Sequence, residues 1–148
     1  MSLKDWLNSG WLIDHKTSPK EIADFLSLSE RDLKNSVVPG LDPEWQLNMA
    51  YNAALHLAAA ALAAAGYRPS HESHHFRTIS SLAQTIGADR ELVDKFDAFR
   101  KKRNISQYDR AGMVSEKEVE EMKVLAHEMK DKVTAWLKTN YPELLPDK

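Results

Sequence analysis

Apolar residues recur along most of this chain at intervals of three and four, the repeat that lines up side chains on one face of an α-helix. Ile22, Phe25 or Leu26, Ser29, Leu33 and Val37 keep the repeat after Ser18, and Val119, Met122, Ala126, Met129, Val133 and Trp136 or Leu137 keep it near the C-terminus. Between them, Trp45, Ala50, Ala53, Ala54, Leu57, Ala58, Ala61, Leu62 and Ala65 make a segment apolar nearly all round, which predicts the central helix of the fold. Its alanines lose little side-chain entropy and let neighbouring backbones approach closely. Two further stripes carry Phe76, Ile79, Leu82, Ala83 and Ile86, running to Gly87, and then Leu92, Val93, Phe96 and Phe99.

Start and stop signals bracket these stripes. Ser18-Pro19-Lys20-Glu21 offers a capping hydroxyl, a proline at the first helical position and a glutamate three residues on, and Ser115-Glu116-Lys117-Glu118 repeats the capping box. Asp42-Pro43-Glu44 and Asp89 open two of the three helices between, while Pro39-Gly40, Gly66, Gly87 and Asn140-Tyr141-Pro142 close segments. A short helix over 2–9, capped by Ser2 with Leu3, Trp6 and Leu7 on one side, is expected to cover the core. The chain carries no alternating strand pattern, internal repeat or low-complexity linker. The prediction is an all-α, up-and-down bundle of about four or five main helices, a single domain over 1–148 with its core at 18–140.

Length and composition narrow the partners. A chain of 148 residues fits one domain. With 28% charged residues and a formal net charge of -2, no global field draws it to nucleic acid or membrane, so an anionic partner has to be recruited by a local patch. Cysteine is absent, which excludes disulfides, thiolate metal sites and a cysteine nucleophile and suits a reducing compartment. Met1 to Trp6 has no basic segment leading into an apolar run, and the longest stretch without a polar side chain, Leu57 to Ala65, falls short of the roughly 20 residues a bilayer requires. A soluble, cytoplasmic protein without a membrane partner is expected.

The local patch is Arg100-Lys101-Lys102-Arg103, four consecutive cations where the helical pattern runs out, followed by Asn104, Ser106, Gln107 and Tyr108. Cations in a last helical turn complement the macrodipole. Arg100 lies four residues after Phe96, and Arg103 lies four after Phe99 and seven after Phe96, so both continue the packed face if the helix persists. Lys101 and Lys102 point elsewhere, as solvated or steering charges. A guanidinium on a packed face needs an internal carboxylate such as Asp97 or Asp109, a route to solvent, or an anionic ligand. His71, His74 and His75 form a second cluster. Glu72 and His75 give one Glu-x-x-His, the element that di-iron bundles use in two copies, but no second copy and no His-Glu-x-x-His is present. These histidines read as helix-start polar residues or, with Arg68 and Arg77, as an extension of a phosphate-binding surface; no metal or cofactor is expected. His56 reads as a satisfied core histidine, and the four tryptophans as core and interface residues.

Arg103-Asn104 followed after three residues by Tyr108-Asp109 resembles the signature of the HEPN superfamily, all-helical domains of bacterial defence and toxin-antitoxin systems. Ala50 to Leu55, Gly66-Tyr67-Arg68-Pro69 and the His74-His75 pair resemble one branch of small stand-alone members, and the likeness covers about Ser18 to Leu137. The resemblance implies a dimer that brings two copies of the arginine motif into one basic cleft, where active members cleave RNA without metal. In those members Arg is followed after four to six residues by His. Arg stabilises charge on the phosphate, His moves the proton, and Asn adds a hydrogen bond. Here Tyr108 stands where that His belongs, and a phenol of pKa about 10 is a poor base at neutral pH. Some toxin members carry a Tyr two residues after the His, modified by a partner nucleotidyltransferase; that position here is Arg110. The resemblance therefore implies an RNA- or nucleotide-binding homodimer, weak or inactive in catalysis. Arg100, Lys101, Lys102, Arg103, Asn104, Tyr108 and His75 would hold phosphate, with Arg103 and Tyr108 as the candidate catalytic pair. Its setting would be a toxin-antitoxin or defence module, with a minimal nucleotidyltransferase as candidate partner. The alternatives are a metal-independent endoribonuclease and a structural dimerisation module without a ligand.

Overall fold

A computed structural model describes residues 2–71, 74–108 and 114–145, with the side chains of residues 104–108 outside the description. Six α-helices and one two-stranded ribbon account for most of the described chain. Helix α1 (Leu3–Asn8) is fixed by a reciprocal cap, in which the Asp5 N–H donates to the Ser2 hydroxyl at 3.1 Å and the Ser2 N–H donates to the Asp5 carboxylate at 2.9 Å. Strand β1 (Leu12–Asp14) leads into α2 (Pro19–Asn35), whose Ser18 hydroxyl accepts from the Glu21 N–H at 3.1 Å. Then come α3 (Pro43–Ala64), β2 (Tyr67–Pro69), α4 (His74–Ser80) with a 3-10 turn at Ser81–Ala83, α5 (Arg90–Tyr108) and α6 (Glu116–Asn140). Asp89 starts α5 by accepting from the Leu92 N–H at 2.9 Å, and the Ser115/Glu118 capping box starts α6.

Helix α3 is central, as its composition predicts. It packs between α2 and α6 and also touches α4, α5 and β2. Leu47, Ala50, Tyr51, Ala53, Ala54, Leu57 and Ala58 are all buried along it. A buried hydrogen bond from the Ser29 hydroxyl to the Ala53 carbonyl, 2.9 Å, locks α2 against it. Among the described helices α3 alone is long and apolar enough to cross a membrane, and 67% of that window is buried by the rest of the fold.

The structure departs from the pattern in four places. First, β1 and β2 form an antiparallel ribbon, with Leu12 opposite Pro69 and Asp14 opposite Tyr67. Gly66, at φ +100°, reverses the chain after α3 in a conformation costly for any residue with a Cβ, and the His15 N–H donates to its carbonyl at 2.9 Å. The ribbon rests on Trp6, Leu12 and Leu62, a small cluster separate from the main core. Second, the helix expected to run to Gly87 stops as an α-helix at Ser80. The hydroxyls of Thr78, Ser81 and Thr85 bond the carbonyls of His74, Thr78 and Ser81, competition that favours tightening and ending a helix. Third, the cationic run is not at a helix end, because α5 continues to Tyr108. Fourth, Trp45, Phe76 and Val37 are 58%, 42% and 58% exposed rather than packed in the core.

Candidate functional site at the α3–α4–α5 junction

The persistence of α5 past Arg103 carries both arginines onto the face of Phe96, which is fully buried. Phe96 meets Tyr51 of α3 edge-on, with ring centroids 5.7 Å apart at 81°. Arg103 lies over the Tyr51 ring at 5.4 Å, and its Nε donates to Asn48 Oδ1 at 2.8 Å. One turn earlier, Arg100 lies 5.5 Å over the ring of Phe76 from α4, and its Nε donates to Asp97 Oδ1 at 2.6 Å. Each guanidinium is thus set over an aromatic ring and fixed by a side-chain oxygen, which lowers the entropy lost when a ligand engages it.

The lysines divide differently. Lys101 is 68% exposed and reaches the second Asp97 oxygen at 3.6 Å, so Arg100 and Lys101 share one carboxylate. Lys102 lies 3.3 Å from Glu118 Oε2 and ties α5 to the start of α6. Burial alone would raise the Glu118 carboxyl, but the Ser115 N–H and the Lys102 ammonium hold it below the usual range. Asn104 and Tyr108 continue the α5 backbone, and their side chains lie outside the described residues, as does all of Asp109.

His75 completes the junction. Its Nδ1 is 3.3 Å from the Tyr51 hydroxyl, and its ring lies edge-to-face with His74 at 4.5 Å. Burial, then His74, Arg103 and Arg100, press the His75 pKa down to about 4, so the ring is neutral at pH 7. Burial raises the Tyr51 phenol to about 12 against the pull of Arg103 and Arg100, so it remains a protonated donor. With the phenol as donor, His75 Nδ1 accepts and the neutral ring keeps its proton on Nε2. That tautomer offers a hydrogen bond to an anion. It offers little basicity.

The depressed His75 pKa has a stability consequence. The unfolded ring takes its proton near pH 6.5 and the folded one only near 4, so stability is full above about 6.5 and declines as pH falls to about 4. After allowance for solvent screening of a half-exposed ring, the loss amounts to about 1–2 kcal/mol. Urea unfolding of wild type and His75→Gln between pH 4 and 7 is expected to show this slope reduced in the variant. His56, 3.3 Å from Asp32 Oδ2 and also lowered chiefly by burial, supplies a residual slope of the same sign in both.

Sequence reasoning brought Arg100, Arg103 and His75 forward, and the structure gathers all three. It passed over Asn48 and read Phe76 only as part of an apolar stripe. The available signal was Asn48, Tyr51 and Asn52, polar groups at helical spacing on an otherwise apolar helix. Among the described residues no three metal-ligating side chains converge. A family model described as HEPN domain matches residues 20–136, well over half of the chain. No curated protein and no solved structure matches it.

Proposed function

The chain belongs to the HEPN domain family, and from that premise, with its nucleotide- or RNA-related associations, we propose that this member binds RNA or a nucleotide phosphate through Arg103, Arg100 and His75 and cuts weakly or not at all. The observation that carries this reading is the pair of guanidiniums one helical turn apart, set over the rings of Phe76 and Tyr51, whose positive field falls on a neutral His75. Preorganised donors around a positive field suit phosphate recognition. Lys101, exposed beside them, adds steering charge.

Binding is favoured over cleavage by two features. Tyr108 stands at the position where the family's nucleases carry His, and the histidine that does lie beside the arginines is a poor base. General-base efficiency peaks when the pKa lies near the working pH, and that of His75 is far below it. We place the protein in a toxin-antitoxin or defence module, as a homodimer that sets two Arg103 sites in one cleft, with a minimal nucleotidyltransferase as candidate partner. The test is fluorescence anisotropy with single-stranded RNA in EDTA across a salt series. Affinity falling with salt and RNA recovered intact support binding without cutting; progressive cleavage that Arg103→Ala abolishes would instead establish the metal-independent endoribonuclease.

A further inference from the structure

We propose that the cleft between the α1–β1 turn and α4, lined by Ser9, Gly10, Trp11, Ser70, His71 and Arg77, is a second phosphate-binding subsite. It is open and polar, with a volume of about 410 Å³, in the size range of small-ligand sites. Its principal cation is Arg77, a half-buried guanidinium 4.7 Å above the Trp11 ring. Among the described residues no carboxylate pairs with it; its Nη1 donates to the neutral Ser70 hydroxyl at 3.3 Å. Ser70 in turn donates to the Trp11 carbonyl at 3.1 Å, so its hydroxyl proton is committed and its oxygen is left to anchor one edge of the guanidinium. The remaining N–H groups of the planar fork are available to an anion, the contact that a partly desolvated arginine lacks. His71, exposed at the rim, is a further donor to an anion.

Arg77 and His75 are two residues apart on α4, which places them about 200° apart around the helix. The cleft therefore opens on the opposite side of α4 from the Arg103 site. The ligand class rests on the nucleic-acid reading given above; the cleft does not. A phosphate could come from the same RNA strand, passing across α4, or from a separate nucleotide or inorganic phosphate, and these sources share the chemistry that Arg77 and His71 recognise.

The experiment uses the full chain, labelled with ¹⁵N. Inorganic phosphate, and separately a single-stranded RNA, are titrated while the Trp11 indole and Gly10 amide resonances are followed in wild type, Arg77→Gln and Arg103→Ala. Phosphate is expected to move both resonances in wild type and in Arg103→Ala but not in Arg77→Gln. If the strand supplies the phosphate, Arg77→Gln also lowers RNA affinity about 3- to 10-fold and flattens the salt slope by about 0.7, the share of one single-strand contact. Movement with phosphate but unchanged RNA affinity assigns the subsite to a separate phosphate or nucleotide. Resonances that stay still with both probes in folded wild type overturn the proposal, whatever Arg103→Ala does to RNA binding. If Arg77→Gln fails to fold, Arg77→Lys keeps the charge and loses the fork, and is expected to retain only part of the response.

Discussion

Arg103→Ala is expected to weaken single-stranded RNA binding by about 10- to 100-fold at 0.1 M salt, the loss of about 1.5–3 kcal/mol that a charge-assisted contact carries. The guanidinium lies over the Tyr51 ring and is bonded to Asn48, so the variant also sheds these contacts. Arg103→Lys separates the two contributions. It restores a point charge without the planar fork, and intermediate affinity with a salt slope near that of wild type is the expected result. Melting temperatures with and without RNA decide the remaining rival. A structural module predicts that Arg103→Ala dissociates or unfolds the protein and that RNA leaves the wild-type melting temperature unchanged. Unaltered RNA affinity in a folded Arg103→Ala protein would dispose of the proposed site.

Phe96→Ala should have the largest effect on stability, about 3–5 kcal/mol, because a fully buried aromatic ring is replaced by a cavity that its neighbours fill only in part. Such a loss is a large fraction of the about 5–15 kcal/mol that holds a typical domain folded. Urea unfolding measures it directly. The ring is also the wall against which Tyr51 stands, and Tyr51 in turn supports Arg103 and bonds His75. Tyr51→Phe is the companion variant. It keeps that packing while removing the hydroxyl, and so separates support of the core from the orientation of His75. A Phe96→Ala loss under 1 kcal/mol would contradict the packing described here.

The sequence carried the helices wherever local chemistry decided them. Ser18 and Ser115 cap as their motifs require, and the apolar circumference of α3 puts it at the centre. It carried less where distant residues or side-chain hydroxyls decided. Leu12 to Asp14 is too short for alternation to show, and its partner lies across two helices; Thr78 and Ser81 look harmless in a periodic stripe until their hydroxyls take backbone carbonyls. The site divides along the same line. Arg100 and Arg103 were legible because helical spacing tied them to Phe96. Their supports, Asn48 and Phe76, were not, since Phe76 scores as core in any periodicity and becomes a platform for Arg100 only when α4 crosses α5.

The ribbon that seats Trp11 is held by few backbone bonds and by a hydrophobic cluster apart from the main core. Such a unit opens on its own, at a lower free energy than the helices behind it. The amides of His15 and Ser70, which donate to Gly66 and Trp11 across that ribbon, should exchange hydrogen with solvent faster than those in the middle of α3. An occupied Arg77 cleft should slow them selectively if its ligand needs the closed ribbon, because Trp11 and Ser70 line that cleft. The N-terminal segment would then act as a latch whose lifetime reports whether the cleft is filled.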